Sequence, residues 1–112
     1  MSDVKWFDIC TVADIPKRGA RTVRWSGHEI AVFRTADDHV FALENKCPHK
    51  GGPLSEGIVH GRKVACPLHN WVIDLESGHA TGADHGCAQD YPVRIVGGHV
   101  RLGLPAAAVA AE

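Results

Sequence analysis

Residues 22–43, TVRWSGHEIAVFRTADDHVFAL, hold three short runs rich in β-branched and aromatic residues, separated by turn chemistry. Residues 22–25 and 29–34 flank Ser26-Gly27, a hairpin signal, and Ala36-Asp37-Asp38 separates Phe33 from the run at 40–43. The same pattern extends outward in both directions. Residues 5–10 (KWFDIC) read as a first strand, and residues 63–66 and 71–75 as two more, followed by a turn at Glu76-Ser77-Gly78. Residues 93–96 and 100–104 flank Gly97-Gly98, a second hairpin signal. No stretch offers a long amphipathic helix, although residues 12–15, before Pro16, can form one helical turn. Many short strands with Gly-rich turns predict an all-β fold, a sandwich or small barrel of antiparallel strands.

Two Pro/Gly-bearing segments interrupt the strand pattern: CPHKGGPLSEG (47–57) and CPLHNW (66–71). They read as an excursion from the main sheet, a subdomain of two loops at about 45–57 and 64–71. Residues 1–104 are expected to make a single domain. The tail at 105–112, PAAAVAAE, has little to pack with and is expected to be disordered.

Composition excludes several classes. The chain has 112 residues with 12 Lys and Arg against 13 Asp and Glu, a formal net charge of −1. That is one domain's worth of core, without the basic excess expected of a nucleic-acid binder. No apolar run approaches the ~20 residues that cross a bilayer. The opening MSDVKWFDIC has neither a basic n-region nor an apolar h-region, so no signal peptide is expected and a cytoplasmic protein is the simplest reading. Four cysteines without an export signal argue against a disulfide framework. Eight histidines are many for this length, and two of them stand beside cysteines.

The pattern is Cys47-Pro48-His49, sixteen intervening residues, then Cys66-Pro67-Leu68-His69. Each loop offers one thiolate and one imidazole. A [2Fe–2S] cluster takes four protein ligands, two per iron, so Cys47 and Cys66 can hold one iron and His49 and His69 the other. Pro48 and Pro67 stiffen the backbone after each cysteine. Gly51, Gly52 and Gly57 permit positive φ and close backbone approach to the cluster sulfurs. Two thiolates, two sulfides and two ferric ions sum to zero, whereas four thiolates would give minus two. Adding an electron therefore meets less repulsion, and such centres lie at roughly −150 to +300 mV against about −400 mV for plant-type ferredoxins. The alternative for the same four residues is a tetrahedral Cys2His2 zinc site. Structural zinc usually pairs like with like along the chain, as C-x2–4-C and H-x3–5-H. Here each loop mixes the two ligand types.

These two loops resemble the cluster loops of Rieske ferredoxin-like proteins. Residues 66–102, CPLHNWVIDLESGHATGADHGCAQDYPVRIVGGHVRL, are more specifically similar to the small subunit of the assimilatory NAD(P)H-dependent nitrite reductase. The resemblance runs from about Trp6 to Leu104, and residues 70–91, with the GADHGC turn, carry the narrower assignment. It implies one [2Fe–2S] cluster on Cys47, His49, Cys66 and His69. It also implies a large partner subunit bearing flavin, an iron–sulfur cluster and sirohaem, which reduces nitrite to ammonium in nitrate assimilation. Some members of that family lack the ligands; this chain has all four. Respiratory Rieske proteins carry an extra, disulfide-paired cysteine in each loop, at positions matching Gly52 and Leu68 here. Their absence, with Asn70 where a loop glycine often sits, implies a lower-potential, ferredoxin-type centre suited to a reducing compartment.

The remaining residues carry blander expectations. Cys10 and Cys87 read as small buried or half-buried thiols. His28, His39, His60, His79, His85 and His99 lie in or beside turns and are expected to be solvated. Trp71 reads as core for the cluster subdomain rather than as an electron relay. GGPLSEG lacks the G-x-x-x-x-G-K-[ST] pattern, and no strand–G-x-G-x-x-G–helix is present, so no nucleotide site or catalytic pocket is expected in this chain. Two functions follow: the electron-transfer small subunit of a nitrite reductase, or a free Rieske ferredoxin serving an aromatic-ring dioxygenase system.

Overall fold

A computed structural model describes residues 4–25, 27–46, 53–67, 71–81, 86 and 88–105. Ten strands lie among the described residues: β1 (Val4–Thr11), β2 (Gly19–Trp25), β3 (His28–Arg34), β4 (Val40–Glu44), β5 (Ile58–His60), β6 (Lys63–Ala65), β7 (Val72–Asp74), β8 (Asp90–Tyr91), β9 (Val93–Val96) and β10 (His99–Pro105). All pairings between them are antiparallel. Among the described residues the only helical elements are 3-10 turns at Val12–Asp14 and Leu54–Glu56. The first is the turn predicted before Pro16. The Thr11 amide donates to the Asp14 carboxylate at 2.9 Å, which caps it and holds the Asp14 pKa below its usual value.

The strands form three sheets, ordered β1-β10-β9, β2-β3-β4-β8 and β5-β6-β7. The middle sheet is buried on both faces, and β3 shows why its sequence is apolar without alternation. Ile30 and Val32 face one core with Ile15, Val40, Ala42, Val100, Leu102 and Leu104, which joins the first two sheets. Ala31 and Phe33 face a second core with Leu43, Leu54, Val59, Val64, Cys66, Ile73 and Leu75, which joins the middle sheet to β5-β6-β7. The excursion expected from sequence thus has a small sheet, which packs on the middle sheet through a shared core.

The predicted hairpins form. Trp25 pairs with His28 at the first signal, where Gly27 has a φ of 78°, and Val96 pairs with His99 across Gly97 and Gly98, whose φ values are 57° and 82°. Three short elements went unread: β5, β8 and the 3-10 turn at Leu54–Glu56. The β5–β6 turn is only Gly61-Arg62, a tight connection with Gly61 at φ 61°. β10 runs through Pro105, one residue into the segment expected to be tail; residues 106–112 lie outside the described residues.

An ionic patch ties the sheets together at the surface. Arg62, in the β5–β6 turn, meets Glu76 at 2.5 Å and lies 3.9 Å from Asp37, in the β3–β4 connection. The buried Thr35 hydroxyl donates to Asp37, and His39 Nδ1 lies 3.0 Å from it. Chiefly through Thr35, then His39, the Asp37 pKa falls to about 2. Its folded value lies below the unfolded ~3.9. The stabilisation is therefore complete above pH ~4 and is lost as pH falls toward 2. Asp37→Asn is expected to lower the urea midpoint at pH 7 and to match wild type near pH 2, as unfolding curves at the two pH values would show.

Candidate metal centre

Each of the two candidate ligand segments is flanked by described residues that close into a neck at the second core. The first begins where β4 ends. Asn45, 5% exposed, donates its backbone N–H to the Glu29 carbonyl at 2.8 Å and its Nδ2 to Glu29 Oε1 at 3.0 Å. Its Oδ1 accepts the Ser55 N–H at 2.7 Å, so one buried side chain ties residue 45 to residue 55. Leu54, fully buried, plugs the 3-10 turn into the core, and the Glu56 and Gly57 amides complete the turn on the Pro53 and Leu54 carbonyls. The second neck is main chain: the Cys66 N–H donates to the Trp71 carbonyl at 2.6 Å.

The two necks touch. A Cβ built on Gly57 would stand 2.2 Å from the Ala65 carbonyl oxygen and 2.9 Å from Val64 Cγ2. Gly57 therefore lies against the residue before Cys66. This changes the reason for the glycine: its φ is −78°, an ordinary value, and what it supplies is space against Ala65 rather than positive φ.

Of the four predicted ligands, Cys66 is described. It is 1% exposed at the end of β6, among Leu54, Val59, Val64 and Ile73. Cys47, His49 and His69 lie outside the described residues, as do Gly51, Gly52, Leu68 and Asn70. The described part fits a soft-metal centre. A buried cysteine stands at one neck, the other neck abuts it, and the C-P-H and C-P-L-H segments lie between these closures in sequence. A charged thiolate at so apolar a position is tolerable when a cation neutralises it.

Around the second neck, Thr81 donates its N–H at 2.9 Å and its hydroxyl at 3.2 Å to the carbonyl of Val72, the residue after Trp71. Gly78, at φ 79°, has no room for a Cβ beside the Ala88 carbonyl, and Ala88 N–H donates back to Gly78 at 2.7 Å. Thr81 is thereby tied to β7, and Gly78 and Ala88 to each other. Below the first loop, the Tyr91 hydroxyl donates to Glu44 Oε1 at 2.8 Å. Burial, then Glu44, pushes the Tyr91 pKa well above its usual value, so the phenol stays a donor.

Elsewhere the sequence expectations hold where they are described. Trp71 is half-buried against the second core. His28, His39, His60, His79 and His99 are exposed. Cys10 is half-buried, and burial raises its pKa. Cys87 and His85 lie outside the described residues. Asn45 was missed: ENKC reads as an unremarkable lead-in, and only the fold shows the Asn45 amide meeting Glu29 and Ser55.

The described architecture is a three-sheet all-β domain in which the C-P-H segment lies between β4 and β5 and the C-P-L-H segment between β6 and β7. Residues 5–92 match the family model of the Rieske [2Fe–2S] domain, and the chain belongs to that family. It accordingly carries a single [2Fe–2S] cluster, whose chemistry is one-electron transfer. The chain is 31% identical over 106 residues to the ferredoxin component of the naphthalene 1,2-dioxygenase system of Pseudomonas aeruginosa, covering 89% of this chain and 96% of that protein. It is 36% identical over 77 residues to the oxidoreductase NdmD of Pseudomonas putida, 69% of this chain but only 13% of that protein. Among solved structures, a protein provisionally described as the NADH-dependent nitrite reductase small subunit of Mycobacterium tuberculosis superposes with a TM-score of 0.83. That likeness has 25% identity and covers 93% of this chain and 98% of the other. A ferredoxin of Sphingomonas yanoikuyae B1 gives 0.79 at 27% identity, covering 90% and 100%. No helix among the described residues is long and apolar enough to cross a membrane.

Proposed function

We propose that this chain is the electron-transfer small subunit of an NAD(P)H-dependent nitrite reductase, with its cluster held by Cys47, His49, Cys66 and His69. Residues 1–104 act as one domain in the cytoplasm. The observation that carries the reading is the segment at 70–91. Its sequence is what resembles the nitrite reductase small subunit, and its described part is held by bonds from Thr81 to Val72 and between Ala88 and Gly78. A partner drawing electrons from the cluster would meet this segment. The full-length likeness to the Mycobacterium tuberculosis protein supports the same reading. The large subunit would supply flavin and sirohaem and reduce nitrite to ammonium, while this chain relays electrons.

A second reading has its own support: the Pseudomonas aeruginosa dioxygenase ferredoxin is matched over almost its whole length. In that case the chain is a free carrier between a reductase and an aromatic-ring oxygenase. Tagged protein from its native host separates the two. Co-purification of a large sirohaem- and flavin-bearing subunit, with nitrite reduction that depends on adding this chain back, is the expected outcome. A monomer that reduces an oxygenase component and leaves nitrite reduction unchanged would establish the alternative.

A further inference from the structure

We propose that Asn45 is a positioning residue for the first ligand loop, tying the geometry of Cys47 and His49 to the end of β4. The proposal rests on the reading that these two residues are cluster ligands. Asn45 and Thr35 are the two buried polar or charged residues among those described. Thr35 serves its own turn, where its hydroxyl donates to Asp37 and accepts the His39 N–H at 3.0 Å. Asn45 reaches across the neck. Its Oδ1 takes the amide of Ser55 at 2.7 Å, in the 3-10 turn that precedes β5. Its Nδ2 is held by Glu29 Oε1 at 3.0 Å, which fixes the amide plane so that Oδ1 faces Ser55.

The two loops are closed by different means, and this gives Asn45 its role. The 66–71 neck closes with a main-chain bond that any residue but proline at 66 could make. The 45–55 neck is longer, and its span is set by a side chain of one length. Alanine cannot bridge it, and aspartate would present a carboxylate to Glu29. Holding both ends lowers the entropy that the loop must lose to present two ligands in register.

Three readouts on the cluster-loaded protein test this. Replacing Asn45 by Ala should speed hydrogen exchange at the Ser55 amide roughly tenfold, the effect of one lost hydrogen bond. It should also speed cluster loss to an iron chelator and shift the g-values of the reduced protein's EPR spectrum. Glu29→Gln keeps an acceptor for Nδ2 and should leave all three at wild-type values. Glu29→Ala, which keeps the Ser55 bond but frees the amide plane, should move them in the same direction as Asn45→Ala but less, and serves if that variant does not fold. A purely structural role would lower melting temperature while leaving the g-values untouched, and that result would overturn the proposal. So would a Ser55 amide that exchanges equally fast in wild type and Asn45→Ala. Wild-type protein without two irons and two sulfides would instead sink the ligand reading, and Ser55 exchange would still decide whether the clamp exists.

Discussion

Cys66→Ala protein is expected to purify without the red-brown colour of wild type and to give no rhombic EPR signal, average g below 2, on reduction. Its melting temperature should also fall by more than the lost atom explains. Cys66 is 1% exposed within the second core, so removing one buried heavy atom costs on the order of 1 kcal/mol. In a domain of this size that is about 4–8 °C. A larger drop measures the cross-link that a cluster makes between two loops in a small domain. Cys10→Ala is the control, since Cys10 is half-buried on β1 in the other core and should keep full colour. Metal, sulfide and EPR measurements on anaerobically purified wild type and both variants check each point. Colourless wild type with stoichiometric zinc would replace the cluster by the Cys2His2 zinc site that the same four residues could build.

The all-β class was readable because hairpin signals are local. Ser26-Gly27 and Gly97-Gly98 select tight turns through the backbone geometry of two residues, and the flanking β-branched runs do the rest. What could not be read was which runs share a sheet. IAVF at 30–33 has no alternation from which to choose a face, and the fold buries both, which makes β3 the wall between two cores. β5 escaped because three residues carry no periodicity and a single glycine marks its turn.

The site divides along the same line. The four proposed ligands could be picked out because metal coordination demands particular side chains at short spacing, whatever the surrounding fold. Their supports were not visible. Asn45 meets Glu29 and Ser55 across 16 and 10 residues, and Tyr91 meets Glu44 across 47. Such pairs depend on register between strands, which single-sequence patterns leave undetermined.

Gly57 shows how a residue can be singled out correctly for the wrong physical reason, and its substitution has the second large effect. Gly57→Ala is expected to lower the melting temperature by roughly 5–20 °C, from an overpacking cost of about 1–3 kcal/mol, and to accelerate cluster loss. The new Cβ would stand 2.2 Å from the Ala65 carbonyl oxygen, a backbone atom that cannot rotate away. Relief therefore requires the two necks to separate, and Cys66 follows Ala65 directly. Gly97→Ala discriminates between the two roles of glycine. Gly97 sits at φ 57° with open space around its would-be Cβ, so alanine there pays a left-handed backbone penalty of about 1–2 kcal/mol and nothing more. Both variants should melt earlier, but only Gly57→Ala should alter the EPR line shape and the rate of iron release. Equal cluster behaviour in the two would mean that the contact between the necks does not govern how the loops present their ligands.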